Sequence, residues 1–127
     1  MRWLLVALIV FHALIHLIGS PAAWGGAIAG LTVDPLVPLA GAALRVGGVA
    51  WLLATLLLLV AALGLALRHE WWPMAALAGV VVSQALIVLW WRDARFGSLP
   101  NLVILVIAIW SAMPNRRRAG PIVGAHS

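Results

Sequence analysis

Apolar residues run along this chain in four stretches broken by short polar clusters, and the pattern predicts four transmembrane helices at about 3–19, 46–67, 71–91 and 99–113. The first stretch follows Arg2 and is interrupted only by His12 and His16. The second is nearly unbroken Leu, Ala and Val, closed by Arg68, His69 and Glu70. Trp71 and Trp72 open the third, with Pro73 in its first turn, and Trp90 and Trp91 close it, so aromatic belts are expected at both ends. The fourth is the shortest, with Ser98 as N-cap, Pro100 in the first turn, and Pro114 ending it before Arg116, Arg117 and Arg118. Positions 20–45 form a long outer connection rich in Gly, Pro and Ala. Broken by Pro21, Pro35 and Pro38, it is expected to rest at the interface or dip back as a re-entrant piece. Gly26 and Gly30 make a small-xxx-small pair, weak evidence for helix association in so glycine-rich a segment.

Composition places these stretches in a bilayer. The chain is 65% hydrophobic with a mean hydropathy of +1.14, against roughly 45–50% apolar content in soluble domains. At 127 residues it reads as a single all-α domain, an integral membrane four-helix bundle with a basic cytoplasmic tail at 114–127. Cysteine is absent, which excludes disulfide frameworks, thiolate metal sites, iron–sulfur clusters and cysteine nucleophiles. The net charge of +5 does not argue for nucleic acid in a chain this apolar; arginines at span ends are the usual topology signal. One face collects Arg2, Arg68, Arg116, Arg117 and Arg118, and the other Arg45, Arg92 and Arg95 with Asp34 and Asp93. That excess predicts a multi-pass protein of the cell membrane with both termini cytoplasmic. A competing reading makes the first stretch a cleaved secretory signal, with Ser20 and Ala22 before Ala23 resembling a cleavage site, although two histidines are unusual in a signal core.

Polar groups within the spans then become informative, because each is costly in hydrocarbon unless it finds a partner. His12 and His16 stand four residues apart, on one face and roughly 6 Å apart along the axis, and Gly19 continues that face. Ser83 and Gln84 lie just outward of the centre of the third span, and Asn101 at the outer start of the fourth. Arg45 precedes the second, with Thr55 near its midplane and Trp51 a turn inside it as a packing residue or ligand wall. In the outer loop Asp93 sits between Arg92 and Arg95, which can pair with it, bind an outside anion or meet lipid phosphates. A polar cluster is therefore expected in the outer half of the bundle. Its candidates are His12, His16, Arg45, Trp51, Ser83, Gln84, Asp93, Arg95 and Asn101.

The elements His12-x-x-x-His16-Leu17-x-Gly19, Trp51-Leu52, Trp71-Trp72, Ser83-Gln84 and Asp93-Ala94-Arg95-Phe96-Gly97-Ser98 followed by Asn101 give the chain a resemblance. It is similar to a group of small uncharacterised bacterial membrane proteins and membrane-anchoring domains with four predicted spans. The resemblance implies the four-span architecture and marks which polar positions belong together; it carries no activity. Small multidrug exporters are similar in size but rely on a membrane-embedded glutamate in the first span, where this chain has His12 and His16.

The histidine pair admits structural hydrogen bonding to Ser83, Gln84 or a backbone carbonyl, a metal or haem ligand role, and a proton relay or quinone contact. As metal candidates His12 and His16 lack further ligands, since His69 falls on the other face and His126 in the tail. No cofactor is expected. Three functions follow: a non-enzymatic accessory or small-ligand-binding bundle, with a membrane protein partner or a second copy; a transporter or channel component; and a haem- or metal-binding redox protein.

Overall fold

The computed structural model describes residues 1–23 and 35–113. Helix α1 spans Arg2–Ala23, α2 Ala42–Ala66 and α3 Trp72–Leu89; a short α4, Trp91–Ala94, leads through a 3₁₀ turn at Arg95–Gly97 into α5, Ser98–Ala112. Each of the four columns is long and apolar enough to cross a membrane, so the chain is an all-α, multi-pass bundle. The fourth column needs all its pieces. At 1.5 Å per residue the 15 residues of α5 reach only about 22 Å, short of roughly 30 Å of hydrocarbon, whereas the 22 residues of Trp91–Ala112 suffice.

Helix boundaries differ from the hydropathy pattern where backbone chemistry intervenes. Helix α1 continues through Pro21 to Ala23, because a proline in the last turn removes only one hydrogen bond. Helix α2 starts at Ala42, ahead of Arg45. Ser98 is not the N-cap of the fourth helix: Gly97 holds that position without a side-chain bond, and Ser98 is the first helical residue. At its other end α2 closes in a Schellman motif, with His69 N donating to Gly64 O at 2.9 Å and Arg68 N to Leu65 O at 3.2 Å. Arg68 takes the left-handed position, φ 61°, usually given to glycine.

Each helix buries one stripe and exposes the rest. In α2 the stripe is Gly47, Gly48, Trp51, Ala54, Thr55, Leu58, Ala61, Ala62 and Leu65, which follows the 3.6-residue period. Leu53, Leu56, Val60 and Leu63 on the opposite face stay exposed. Large apolar residues thus point outward, while small residues let the helices approach, as expected where lipid removes the hydrophobic drive for helix association. A β-carbon on Gly79 would stand 3.0 Å from the Leu58 side chain and 3.2 Å from its backbone nitrogen.

Helix α1 packs on α2, α2 on α3 and α3 on the fourth column, and the α1–α5 seam that closes the ring is the thinnest. Two apolar clusters fill the interior. One, at the end holding the start of α1, contains Ile9, Leu58, Leu65, Trp72, Ile104 and Ala108; the other contains Trp51, Ala54, Leu86 and Trp90. Met1 and Arg2 share a shallow depression of about 880 Å³ with Arg68, Glu70, Ser111 and Ala112, which places the two ends of the bundle's chain on one side. Gly26, Gly30, Asp34, the arginines at 116–118 and His126 lie outside the described residues. Of the outer connection, Leu36 N donates to Leu89 O at 2.6 Å, which ties its end to the end of α3.

The tryptophans correct the expectation of simple interfacial belts. Trp3, Trp71, Trp91 and Trp110 are exposed, but Trp72 and Trp90 are buried. Consecutive helical positions point about 100° apart, so in each Trp pair one ring faces outward and the other enters the core.

Candidate functional site

Between the two apolar clusters lies a layer of polar side chains drawn from three helices. The i, i+4 geometry of α1 brings the imidazoles of His12 and His16 together edge to face, with centroids 4.5 Å apart. Both are buried, as are Ser83 on α3 and Asn101 on α5, while Gln84 is half-buried. His12 Nε2 lies 2.8 Å from Asn101 Oδ1, His16 Nδ1 lies 3.0 Å from the backbone oxygen of His12, and His16 Nε2 lies 2.7 Å from Ser83 Oγ. Asn101 Nδ2 donates to Ser83 Oγ at 2.8 Å and to Gln84 Oε1 at 3.1 Å, and Gln84 Nε2 donates to Ser98 Oγ at 3.1 Å.

Donor and acceptor counting orders these contacts in one direction. A carbonyl only accepts, so His16 Nδ1 carries the proton it gives to His12 O, and in neutral His16 Nε2 accepts from Ser83 Oγ–H. The serine hydroxyl has then spent its hydrogen, and its 3.1 Å approach to Asn101 Oδ1 is a close contact inside the ring, while its lone pairs take Asn101 Nδ2–H. Asn101 Oδ1 is left to accept from His12 Nε2–H, and His12 keeps a lone pair on Nδ1. With both imidazoles neutral, each imidazole N–H and the Ser83 O–H has an acceptor. Thr55 stands apart, since its hydroxyl bonds its own helix at Trp51 O, 3.0 Å away.

Ser83 and His16 resemble a nucleophile and its base, oriented by a third group. Ser83 is fully buried, does not line the adjacent cavity, and has its hydroxyl hydrogen-bonded within the network.

That cavity, of about 530 Å³, opens beside the polar layer where α1 separates from the fourth column. His12, His16 and Gly19 of α1 line it, with Trp51, Ile87, Asp93, Phe96, Gly97 and Pro100. Gly19 is required by Trp51: a β-carbon there would stand 2.6 Å from Cδ2 and 2.7 Å from Cε2 of the indole. Trp51 in turn meets the edge of His16, with centroids 5.0 Å apart, and Trp90 at 6.0 Å. Trp51 is therefore both packing residue and cavity wall. Its Nε1, like that of Trp90, is buried with no hydrogen-bond partner among the described residues.

The structure brings together most of the sequence candidates. His12, His16, Ser83, Gln84 and Asn101 form the network, and Trp51 and Asp93 join the histidines around the cavity. Arg45 and Arg95 do not join them: both are exposed, and the Arg95 guanidinium sits over the Phe96 ring, 5.1 Å from its centroid. Sequence reasoning missed Ser98 as a network member, having assigned it to a cap, and missed buried Ser20 and Trp90. For Trp90 the signal was its adjacency to Trp91.

Among the described residues no three His, Asp or Glu side chains gather at metal-binding distance. Three of the four imidazole nitrogens are engaged in the network, and His12 Nδ1 keeps its lone pair. Comparison of the chain with known protein families, with curated proteins and with solved structures found no match.

Proposed function

We propose that this protein is a non-enzymatic, small-ligand-binding membrane bundle whose site is the cavity beside the His12–Asn101 network. The observation that carries this reading is the pairing of a cavity of about 530 Å³, within the usual range of small-molecule pockets, with a polar layer that fixes two of its wall residues. Below the layer Ile9, Ala13, Leu58, Ile104 and Ala108 are all fully buried, which supports a pocket closed on that side. A blind, pre-formed pocket binds; it does not conduct. A proton relay is disfavoured too, because the chain of donors passes through the Asn101 amide and ends on the backbone of His12.

Filling the cavity tests this. Ala94 lines it and is half-buried. In Ala94→Trp, small molecules seen by native mass spectrometry on protein from mild detergent are expected to disappear while the helical circular dichroism is kept. An unchanged set of bound molecules would move the site elsewhere.

A transporter component is the second reading, favoured by both histidines lining an open cavity. It requires another conformation in which the apolar half of the bundle parts. As an accessory subunit, the protein would present the site to a membrane protein partner or a second copy.

The proposed orientation has both termini in the cytoplasm, following the arginine excess beside Arg2 and Arg68. The lack of native cysteine makes single-cysteine labelling clean. Ser127→Cys in intact cells is expected to resist a membrane-impermeant maleimide, whereas Arg95→Cys, exposed at the other end of the bundle, is expected to react; the opposite pattern would invert the topology.

A further inference from the structure

We infer that the depression at the opposite end of the bundle holds the phosphate of an anionic membrane lipid, with Arg2 and Arg68 as its cationic partners. This site is separate from the cavity and does not rest on the ligand-binding reading above. The sequence puts each arginine at a span end, Arg2 at the start of α1 and Arg68 just past the end of α2. The bundle brings both to one hollow of about 880 Å³, whose wall also includes Trp3, Leu65, Trp72 and Ser111. Span ends lie at the depth of the lipid headgroups, and basic hollows between helices at that depth suit anionic ones.

The charges of the wall favour an anion. Of the three carboxylates in the chain only Glu70 lines the hollow, against two guanidiniums. Among the described residues neither arginine is in an ion pair with it. Helices α1 and α3 begin at this end while α2 and α5 finish there, so their dipoles offset and the balance is left to the side chains. Local structure holds both guanidiniums in place. That of Arg2 lies over the Trp3 ring, 4.9 Å from its centroid. Arg68 is fixed by the turn that ends α2, at φ 61° with its N–H on Leu65 O; glycine takes that conformation without strain, yet here it carries a guanidinium, whose planar fork matches phosphate oxygens. Trp3, Trp72 and Leu65 add apolar surface for the glycerol and the first methylenes of the chains.

The test offers the full chain, stripped of lipid in detergent, an equimolar mixture of phosphatidylglycerol and phosphatidylcholine with identical acyl chains, and reads retention by native mass spectrometry. The wild type is expected to keep one phosphatidylglycerol with a preference of at least about fivefold, the value of one guanidinium at a membrane surface. Arg2→Gln with Arg68→Gln is expected to lose that preference, and Glu70→Gln, which removes the opposing charge, to increase it. Arg45→Gln with Arg95→Gln removes two exposed arginines from the other end and should leave it intact. Equal retention of the two lipids by the wild type overturns the inference, and this comparison needs no variant to fold. So does a preference that survives in folded Arg2→Gln, Arg68→Gln, or one that falls equally in both double variants, which is the general attraction of a basic chain for anionic lipid. Inorganic phosphate is expected to displace the lipid no better than chloride at the same ionic strength; stronger displacement would reassign the hollow to free phosphate and overturn its assignment to lipid.

Discussion

Replacing Asn101 by leucine is expected to destabilise the bundle by about 3 kcal/mol. No other side chain joins so many members of the polar layer. Its carbonyl accepts from His12 and its amide donates to Ser83 and Gln84, linking α5 to α1 and to α3. Leucine removes all of these at once and leaves His12 Nε2–H without an acceptor at a position only 2% exposed. Single interhelical hydrogen bonds in membranes contribute modestly, about 0.6 kcal/mol on average. The larger figure comes from stranding several groups together. Thr55→Val is the matched control, because the Thr55 hydroxyl bonds only its own helix, and its cost should be below about 0.5 kcal/mol. Chemical unfolding in micelles, followed by circular dichroism, measures both. Equal stability of the Asn101 and Thr55 variants would show that the layer does not hold the helices together.

Gly47→Ala is expected to cost about 2 kcal/mol, although alanine is the better helix former. A β-carbon at this position would stand 2.6 Å from Cη2 of Trp90, whose ring is fully buried. The overlap outweighs the roughly 1 kcal/mol gained in helix propensity. Shortening the opposing ring should relieve it, so the double variant Gly47→Ala, Trp90→Phe is expected to be more stable than the sum of the two single losses by at least about 1 kcal/mol. Additive losses in a double-mutant cycle would mean that α2 and α3 adjust freely around Trp90.

The bundle was legible in the sequence because hydrophobic length is a one-dimensional property. Four apolar runs of sufficient length leave few alternatives once water is excluded. The convergence of His12, His16, Ser83, Gln84 and Asn101 was legible for a related reason: all lie at one depth of an up-and-down bundle, and depth can be counted along each helix. Rotation about each helix axis was much less legible. Trp72 and Trp90 read as interfacial because their depth suited a belt, and only their burial, with the Trp90 ring over Gly47, shows which way they face. Arg45 was included for its depth and Arg95 for its place beside Asp93 in the outer loop, and both are exposed. The cavity could not be read at all, since it comes from the thin α1–α5 seam and the α4 to α5 offset, and both depend on how elements distant in sequence meet.

That seam also determines the route to the site. Ile15 and Ile18, which line the cavity, are 46% and 38% exposed on the outer flank of α1, and Phe96 opposite them is 71% exposed. On the proposed ligand-binding reading, this flank is the side from which a lipid-dissolved molecule would enter. Occupancy is then governed by the ligand's mole fraction in the membrane, and an apparent dissociation constant expressed in aqueous molarity will scale inversely with the partition coefficient. Two ligands that bind the protein equally well will differ in potency by the ratio of their solubilities in lipid.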